Sequence, residues 1–348
     1  MQHDFSIPNE IITYSKAIWL AIGKKMQEDK KIIVYGLGVD DPKAMYQTLS
    51  DFPSLFGPER CFDTPLSEDS LTGYGIGLAI SGYKPIHVHQ RTDFLLLCCN
   101  QLINIAAKIK YLSKGELNCP FVIRAITGRS WGQGSQHSQS FHSLFSNIPG
   151  LRVLTPSTPQ DIYNTYLNVF DDGIPTIVIE HRLLYKTKSL VKVSKVVPEI
   201  TKVFSGDKLT FCSISHMTLE VQKVTETLKN KGILCDHFSL VNNSNLNLDS
   251  LLISANKTNN LIFVDHGWLN SSIVHTMALN LREKGFKGKI KILGYADSPC
   301  PTSRKLENYF YPTASSILKT ACEILELPIE DFDKLPISEE LINFKGPF

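Results

Sequence analysis

Reactive side chains are most concentrated in residues 63–68, which read Asp-Thr-Pro-Leu-Ser-Glu and end at Glu68. The segment follows a predicted strand and leads into a predicted helix that begins at Asp69. A carboxylate at a helix N-terminus is stabilised by the helix dipole, so Glu68 is explained as an ordinary capping acid. The same carboxyl group, if it faces a ligand, can hold or move a proton. The residues alone leave both interpretations open.

Three glycines, Gly73, Gly75 and Gly77, follow within the same predicted helix. A dinucleotide-binding loop needs Gly-x-Gly-x-x-Gly between a strand and a helix, whereas these glycines have the spacing Gly-x-Gly-x-Gly and lie inside the helix. The pattern therefore argues against a Rossmann-type site. Gly73 and Gly77 share one helix face, where another helix could approach closely.

Three further residues have side chains that could serve in a catalytic or ligand-binding site, and each also has a purely structural explanation. His137 lies in a loop rich in Gly, Ser and Gln, residues 128–140, which suits either a functional histidine or a helix cap. Phe94 precedes a Leu-Leu-Leu run, which is typical of core packing. Asp172 stands before Gly173, and this pair is expected to end a helix.

The elements that must position these residues alternate between short β-branched runs and longer helical patterns, which is typical of parallel sheets with helices on both faces. The alternation occurs in two series, separated by a Lys-, Ser- and Val-rich stretch that we interpret as a linker, residues 186–208. We therefore predict two doubly wound α/β domains, residues 1–185 and 209–348. The predicted strands are residues 31–35, 85–88, 121–125, 152–154, 175–179, 209–213, 236–241, 260–264 and 289–293. The predicted helices are residues 69–80, 94–112, 159–169 with Thr158 as N-cap, 218–231, 248–254, 270–284 and 315–325.

Composition limits the classes of partner. The 36 basic and 34 acidic residues give a formal charge of +2, which offers no global reason to expect a nucleic acid or an acidic membrane. The 8 cysteines contain no Cys-x-x-Cys pair and mostly lie in apolar segments, as reduced core thiols do. Residues 1–10 lack the pattern of a signal peptide, and no apolar run reaches about 18 residues. These features predict a cytoplasmic protein.

Several short motifs keep a specific order and spacing along the chain. They are Asp63-Thr-Pro-Leu-Ser-Glu68, Gly73, Pro85-Ile86, Asn100-Gln-Leu-Ile-Asn104, Gln136-His-Ser-Gln-Ser-Phe141, Pro149-Gly-Leu-Arg-Val153, Pro156-Ser157 with Asp161, Val264-Asp-His-Gly267 and Ala296-Asp-Ser-Pro-Cys-Pro301. Together they resemble the beta subunit of the decarboxylating component of the pyruvate and branched-chain 2-oxo acid dehydrogenase complexes, which is a transketolase-like family. The resemblance has few gaps through the first predicted domain and is weaker in the second.

The resemblance implies that the first domain binds the aminopyrimidine of thiamine diphosphate and that the second is a transketolase C-terminal-like domain. In the family, another chain holds the diphosphate and Mg²⁺ through a Gly-Asp-Gly motif followed by an Asn. No Gly-Asp-Gly occurs here, and the nearest string, Gly206-Asp207-Lys208, lies in the predicted linker. The resemblance therefore implies an alpha-type partner that carries this motif, in a heterotetramer whose beta-type subunits pair through the second domain.

The resemblance also assigns roles to individual residues. Glu68 would hydrogen-bond a pyrimidine nitrogen and thereby activate the cofactor, and Phe94, which lies 94 − 68 = 26 residues later, would stack on the ring. His137 would line the active-site entrance and handle the acyl intermediate or its acceptor. Asp172 matches a position that in some relatives helps to hold a monovalent cation such as K⁺.

Two segments depart from the family. An acid that relatives carry after the first strand is Leu37 here, which puts coupling between two active sites in doubt. His89, Gln90, Arg91 and Thr92 stand where relatives tend to have apolar or aromatic residues. We expect Gln90 to contact the cofactor, and His89 and Arg91 to line a substrate pocket that favours a polar substrate or acceptor.

Three functions follow from these features. The first is a beta-type subunit that decarboxylates a pyruvate-like 2-oxo acid and passes the acyl unit to an acceptor, which in the dehydrogenase relatives is a lipoyl group on an acyltransferase. The second is a carboligase that delivers a two-carbon unit from pyruvate to an aldehyde or ketone, such as a sugar. The third is a non-catalytic scaffolding subunit, which the loss of acid at Leu37 motivates and the presence of Glu68, Phe94 and His137 opposes.

Overall fold

The structure is a computed structural model that describes residues 4–41, 44–129, 132–245, 247–332 and 335. The chain divides into two compact units, one made of Met1–Thr127 with Phe145–Pro198 and the other of Gly128–Leu144 with Glu199–Pro347. The predicted first domain included residues 128–144, whereas in the structure this segment groups with the second unit. The C-terminal end of the predicted second domain, residues 336–348, lies outside the described residues.

The first unit contains a six-stranded parallel sheet. The strands of this unit, including two outside that sheet, are Ile12–Thr13 (β1), Ile32–Gly36 (β2), Cys61–Asp63 (β3), Lys84–His89 (β4), Val122–Thr127 (β5), Arg152–Leu154 (β6), Thr176–His181 (β7) and Lys188–Ser189 (β8). The sheet has the order β3-β2-β4-β5-β7-β6, and β1 pairs separately with β8 in antiparallel fashion. The burial of both faces of β2, β5 and β7 explains their near-continuous apolar sequences.

Between residues 14 and 168 the helices are α1 (Tyr14–Glu28), α2 (Ala44–Gln47), α3 (Phe52–Phe56), α4 (Glu68–Ile80), α5 (Ile109–Leu112), α6 (His142–Ser146) and α7 (Pro159–Asn168). The predicted cap of α7 is confirmed, because the Thr158 hydroxyl accepts from the Asp161 amide at 3.1 Å and the Asp161 carboxylate accepts from the Thr158 amide. Helix α1 was not predicted, although Ala17, Ile18 and Ala21 give its buried face a helical spacing.

The long helix predicted over residues 94–112 is wrong in its details. The chain instead forms a 3₁₀ segment at Thr92–Cys98, a π segment at Asn100–Ile105, a second 3₁₀ segment at Ala106–Lys108 and then α5. All of these turns place apolar residues at similar intervals, so periodicity alone does not separate them from one α-helix.

The second unit is built on a five-stranded sheet. Its strands are Ile200–Phe204 (β9), Leu209–Ile214 (β10), Cys235–Leu240 (β11), Asn260–Trp268 (β12) and Lys289–Tyr295 (β13), in the order β13-β12-β10-β11-β9 with only β9 antiparallel. Its helices are α8 (Met217–Lys229), α9 (Asp249–Thr258), α10 (Ile273–Glu283), α11 (Arg304–Phe310) and α12 (Ala314–Leu325).

Alternate residues of β10 pack into two separate cores, one on each face of this sheet. Leu209 and Phe211 pack with α8 and α12, whereas Cys212 and Ile214 pack with α9 and α10. Successive side chains of a strand point to opposite faces, so each face must be covered by its own helices. This arrangement confirms the predicted doubly wound class for the second unit.

The predicted linker is partly ordered as strands. Lys188–Ser189 is β8, and Ile200–Phe204 is β9, the antiparallel edge of the second sheet. Every residue of β9 is at least partly exposed. Edge strands commonly carry lysines and a mixed polar and apolar pattern. Lys202 is such a lysine, so the segment lacked the apolar run by which the inner strands were recognised.

Among the described residues, no helix is long and apolar enough to cross a membrane.

A fully buried ion pair joins the neighbouring strands β5 and β7. Arg124 donates from Nε and Nη2 to the two carboxylate oxygens of Glu180, at 2.7 and 2.9 Å, and Nη2 also donates to Thr48 Oγ1. Tyr166 and Tyr185 donate their hydroxyl hydrogens to the same carboxylate. Burial acts to lower the pKa of Arg124, but the charge of Glu180 outweighs it and the pKa is raised. Removal of one partner would therefore leave a desolvated charge.

We expect Glu180→Gln to lower the free energy of unfolding by about 3–5 kcal/mol, because the Arg124 guanidinium stays buried without a counter-charge. Urea denaturation of the full chain measures the change. The control is Glu28→Gln, which breaks a half-exposed pair with Lys24 at 3.6 Å and should cost less than about 1 kcal/mol. Equal losses in the two variants would contradict the assignment.

His237 on β11 is fully buried, and its Nε2 lies 2.7 Å from Ser213 Oγ. Burial lowers the pKa of His237 to about 3 from an ordinary 6.5. Below pH 6.5 the unfolded chain takes up a proton that the folded chain refuses, so stability is complete above that pH and declines as the pH falls towards 3.

We expect the free energy of unfolding to fall by about 1.4 kcal/mol per pH unit on account of this histidine between pH 6 and 4. His237→Gln should remove that share of the slope, and urea titrations at several pH values measure it. The exposed His275 provides the control, because His275→Gln should leave the slope unchanged. A slope that His237→Gln does not alter would show that the residue is protonated in the fold.

Candidate active site

The strand order of the first sheet reverses at β2, because β3 is added on one side of β2 and β4 on the other. In open α/β sheets ligands bind outside the carboxyl ends of the strands at such a reversal. Here β2 ends at Gly36 and β4 at His89, and the Leu37 amide donates to Val88 O while Gln90 Nε2 donates to Leu37 O, both at 3.2 Å. Gly36 has φ +129°, and a Cβ there would lie 2.4 Å from Val88 O, so the close approach of the two strand ends requires glycine.

One carboxyl group ends the neighbouring strand β3 and a second follows it, and the structure uses them differently. Asp63 Oδ1 accepts hydrogen bonds from the backbone amides of Val39 and Asp40, the second at 2.9 Å, and so holds the loop after β2. Glu68 is the first residue of α4 and is half-buried. Its carboxyl group has no hydrogen bond or ion pair with any residue that the structure describes. Asp63 is therefore structural, whereas Glu68 is available to a ligand.

Other groups beside the strand ends also suit a polar ligand. Thr64 Oγ1, just before Glu68, and Thr92 Oγ1, just after β4, are buried and have no hydrogen-bond partner among the described residues. Phe94 is half-buried in the 3₁₀ segment that follows β4. A free carboxyl, two unpartnered hydroxyls and an aromatic ring on adjacent strand ends fit a heteroaromatic ring that carries hydrogen-bonding nitrogens.

A chain of buried polar side chains lies between β4, α4 and the segment that carries Phe94. His89 Nε2 lies 3.1 Å from His87 Nδ1 and 4.0 Å from Cys98 Sγ, and Thr72 Oγ1 lies 3.5 Å from His87 Nδ1. The His87 ring also stacks on Tyr35, with ring centroids 4.6 Å apart. Thr72 is one helical turn after Glu68, so these contacts tie the first turn of α4 to the sheet.

Burial keeps the members of this chain uncharged. It lowers the pKa of His89 to about 4, and burial together with His89 lowers the pKa of His87 well below its ordinary value. Burial raises the pKa of the Cys98 thiol to about 12, with a further rise from Glu68 that reflects its nearby carboxylate. Neutral, hydrogen-bonded groups can orient the side chains they contact without adding a charge near the Glu68 carboxyl.

His89 and Arg91 were predicted to line a substrate pocket. The structure places both among buried side chains, and the observed neighbours of His89 are His87 and Cys98 rather than open space. Gln90, predicted to contact the cofactor, bridges to Leu37 O and Met45 Sδ. A pocket role for these residues stays a prediction.

His137 belongs to the second unit and is half-buried in the segment Gly128–Leu144. Contacts of its C-terminal part, residues 140–143, attach this segment to the rest of the second unit. Ser140 Oγ lies 2.9 Å from His142 Nδ1, and His142 Nε2 lies 2.9 Å from Asp265 Oδ1 in β12. Ser143 Oγ accepts from the Ile273 amide at 3.0 Å at the start of α10.

The His142–Asp265 contact is fully buried. Burial acts to raise the pKa of Asp265, but His142 and a hydrogen bond from Ser272 outweigh it, and the pKa is held below its ordinary value. The carboxylate therefore anchors the loop that carries His137. The order Ser140, His142, Asp265 resembles a nucleophilic triad, yet Ser140 is only 5% exposed, so the series braces the loop.

Asp172 was predicted to terminate a helix or to help hold a monovalent cation. Its Oδ2 contacts Arg152 Nη1, its Oδ1 accepts from the Ile174 amide at 3.2 Å, and Arg152 Nη2 donates to Val169 O at the end of α7. The contacts favour the first role, because the carboxylate is occupied in fixing the end of that helix. Cation binding by Asp172 has no support in these contacts.

Sequence reasoning missed the set Thr72, His87 and Cys98. A signal was present for the histidines, because His87 and His89 are two residues apart on a predicted strand and so share one face of the sheet. No pattern in the sequence indicated that Thr72 and Cys98, which lie on two other elements, would close the chain of contacts.

The chain is similar to known proteins over most of its length. Residues 10–188 match the family "Transketolase, pyrimidine binding domain", and residues 199–317 match "Transketolase, C-terminal domain". It is 32% identical to the acetoin:2,6-dichlorophenolindophenol oxidoreductase subunit beta of Cupriavidus necator, over 88% of this chain and 95% of that protein. It is 30% identical to the 2-oxoisovalerate dehydrogenase subunit beta of Bacillus subtilis, over 91% and 99%.

A similar relation holds with the pyruvate dehydrogenase E1 component subunit beta of Rickettsia felis, at 27% identity over 90% of this chain and 98% of that protein. Among solved structures, "Split gene transketolase, inactive beta4 tetramer" matches with a TM-score of 0.72 and 18% identity, over 91% of this chain and 99% of that one, which supports the fold. With its two matched domains and these relatives, the chain belongs to the transketolase-like family of beta subunits of thiamine-diphosphate-dependent 2-oxo acid dehydrogenases.

Proposed function

We propose that this chain, paired with an alpha-type subunit, decarboxylates a pyruvate-like 2-oxo acid with thiamine diphosphate and transfers the acyl unit to an acceptor. The observation that carries the proposal is the half-buried carboxyl of Glu68, which lies at the carboxyl ends of the parallel strands with no partner among the described residues. A carboxyl group in this position is suited to exchanging a proton with a bound heterocycle.

Bound thiamine diphosphate would supply a nucleophilic carbon and an electron sink for cleavage beside the carbonyl group of the 2-oxo acid. Glu68 would hold a proton at a ring nitrogen of the aminopyrimidine and so control the protonation of its amino group. Thr64 and Thr92 would offer hydroxyl groups to the same ring, and Phe94 would offer a stacking surface. His137 would hold or donate a proton at the acyl acceptor.

An alpha-type partner would supply the grip on the diphosphate and Mg²⁺, because no Gly-Asp-Gly motif is present in this chain. Large apolar side chains are exposed just before Glu68 and on the 3₁₀ segment that packs against α4, namely Leu66 at 74% and Leu97 at 57%. Exposed apolar groups of this size are typical of protein interfaces, and they support a partner on this side of the first unit. The proposed assembly is a heterotetramer of two subunits of each type.

The acceptor separates two candidate reactions. Transfer to a lipoyl group on an acyltransferase follows the dehydrogenase relatives. Transfer to an aldehyde or ketone is favoured by the polar residues after β4 and by the relative whose name includes acetoin, a small carbonyl compound. A purely scaffolding subunit would have no use for an unpartnered carboxyl at a sheet reversal, so we set that alternative aside. A bound monovalent cation, if present, would need ligands other than the Asp172 carboxylate.

We expect Glu68→Gln to lower the turnover number of the co-purified two-subunit enzyme by about 10²–10⁴-fold, because the side chain can no longer exchange a proton with the cofactor. Steady-state assays with a pyruvate-like 2-oxo acid measure the loss, and size-exclusion chromatography checks that assembly is unchanged. The matched control is Asp69→Asn, which removes a neighbouring exposed carboxylate from the same helical turn and should change turnover less than about twofold. Full activity in Glu68→Gln would exclude the proposed proton transfer.

The acceptor can be identified by supplying the two-subunit enzyme with pyruvate and either a lipoylated carrier or a set of aldehydes and ketones that includes a sugar. We expect carbon dioxide release to depend on the acceptor, and mass spectrometry to detect either an acylated lipoyl group or a product longer by two carbons. Lipoyl acylation without ligation would eliminate the carboligase. Ligation without lipoyl acylation would eliminate the dehydrogenase role.

A further inference from the structure

The segment Gly128–Leu144, which carries His137, groups with the second unit, although the chain on both sides of it belongs to the first. Between residues 132 and 141 its regular structure is limited to the 3₁₀ turn Gly134–Gln136. Ordering a chain without a regular element costs backbone entropy that other contacts must offset. The position of His137 therefore depends on where this segment is attached.

Buried and partly exposed residues alternate from residue 137 to residue 142. The buried members are Ser138, Ser140 and His142, and the partly exposed members are His137, Gln139 and Phe141. A period of two is the pattern of an extended chain, in which successive side chains point to opposite sides. Contacts made by the buried side therefore also set the direction in which the other side points.

One attachment joins the segment to a later part of the same unit. Gly134 has φ +67°, and a Cβ there would lie 2.6 Å from Thr302 Oγ1, so the backbone approaches Thr302 closely. Ser138 is 1% exposed and shares a hydrogen bond with the Cys300 thiol. The sulfur of that thiol lies 3.1 Å from Tyr311 OH. These contacts hold the chain just before and just after position 137.

The second attachment is the buried pair His142 and Asp265. The imidazole Nε2 lies 2.9 Å from Asp265 Oδ1, and the two side chains are 1% and 0% exposed. Ser140 Oγ lies 2.9 Å from the other ring nitrogen, and the Ser272 hydroxyl donates to the other carboxylate oxygen. Separation of the pair would leave a desolvated carboxylate, so this attachment resists release.

The sequence around the acid is adapted to this contact. A Cβ at Gly267 would lie 2.8 Å from His142 Cε1, so the glycine of the motif at residues 264–267 leaves room for the imidazole. The next residue of the segment is attached as well, because Ser143 Oγ accepts from the Ile273 amide at 3.0 Å. The motif thus supplies both the charge and the space that the attachment needs.

We propose that His142 and Asp265 are positioning residues for His137, through which the second unit controls the transfer of the acyl unit to its acceptor. The inference rests on the proposed function, in which His137 holds or donates a proton at the acceptor. Proton transfer needs heavy atoms within hydrogen-bond reach, and a displacement of about 1 Å can cost about 10²-fold in rate. Decarboxylation occurs before the acceptor reacts and should not depend on the pair.

The test compares two rates of the co-purified two-subunit enzyme supplied with pyruvate. Carbon dioxide release with ferricyanide as the oxidant, where water takes up the oxidised unit as acetate, measures decarboxylation without an acyl acceptor. Acetyl transfer to a lipoylated carrier and ligation to acetaldehyde, assayed in parallel, measure the acceptor step. We expect His142→Ala to lower the acceptor step about 10–10²-fold and to change carbon dioxide release less than about twofold.

Three further variants separate positioning from general stability. His237→Ala is the matched control, because it truncates another fully buried histidine of the second unit, which contacts Ser213. It should lower the Tm, as His142→Ala does, and leave the ratio of the two rates unchanged. Asp265→Asn keeps an oxygen facing His142 Nε2 and should retain the acceptor step within about threefold. The double variant His137→Ala with His142→Ala should lose no more than His137→Ala alone.

Hydrogen exchange of the backbone amides of residues 132–141 measures the attachment without turnover. We expect faster exchange in His142→Ala and unchanged exchange in His237→Ala. Unchanged exchange in His142→Ala, equal losses of the two rates, or losses that add in the double variant would overturn the positioning role. Failure of the unaltered enzyme to release carbon dioxide would instead contradict the proposed function, and the exchange rates distinguish the two cases.

Discussion

Both units of this protein depend on the same topological constraint, the reversal of strand order at a central parallel strand. At β2 and again at β10 the chain adds its next strand on one side and a later strand on the other, so the connections leaving the two neighbouring strand ends diverge and leave room for a ligand. The polar groups that carry the proposed cofactor chemistry lie at the first of these two positions. The sheets supply rigid placement, because their strands are buried on both faces and cannot shift register without exposing the core.

At the first reversal, function depends on which carboxyl group the fold leaves unused. Asp63 and Glu68 are five residues apart, but backbone amides of the loop after β2 engage Asp63, whereas nothing in the described chain engages Glu68. The neutral set Thr72, His87, His89 and Cys98 fixes the start of α4 without adding a charge that would compete with a bound cofactor. The structure thus uses Asp63 to hold the loop after β2 and leaves the Glu68 carboxyl without a hydrogen-bond partner among the described residues.

Each unit contains a fully buried arginine, and the two arginines differ in the contacts that compensate their charge. Arg124 donates to both carboxylate oxygens of Glu180, and two tyrosine hydroxyls donate to the same carboxylate, so the charge of the guanidinium is matched by a direct counter-charge. Arg129 is equally buried, and within the described part of the chain its guanidinium contacts the Tyr311 ring and the Pro312 carbonyl oxygen. Desolvated charges need compensation, so the two arginines differ in whether the described chain supplies it as a carboxylate or as an aromatic face.

The sequence by itself determined the fold class, the two series of strands and helices, the cap at Thr158 and the family, because apolar periodicity, capping residues and motif spacing are local properties. It also identified Glu68 as the residue of interest, but it left open whether that acid caps a helix or faces a ligand. Only the tertiary structure decided that Glu68 has no partner in the described chain, that Asp172 is occupied by Arg152, and that residues 128–144 group with the second unit. These outcomes depend on contacts between residues far apart in the chain, such as His142 with Asp265, and no local pattern encodes the position of both partners.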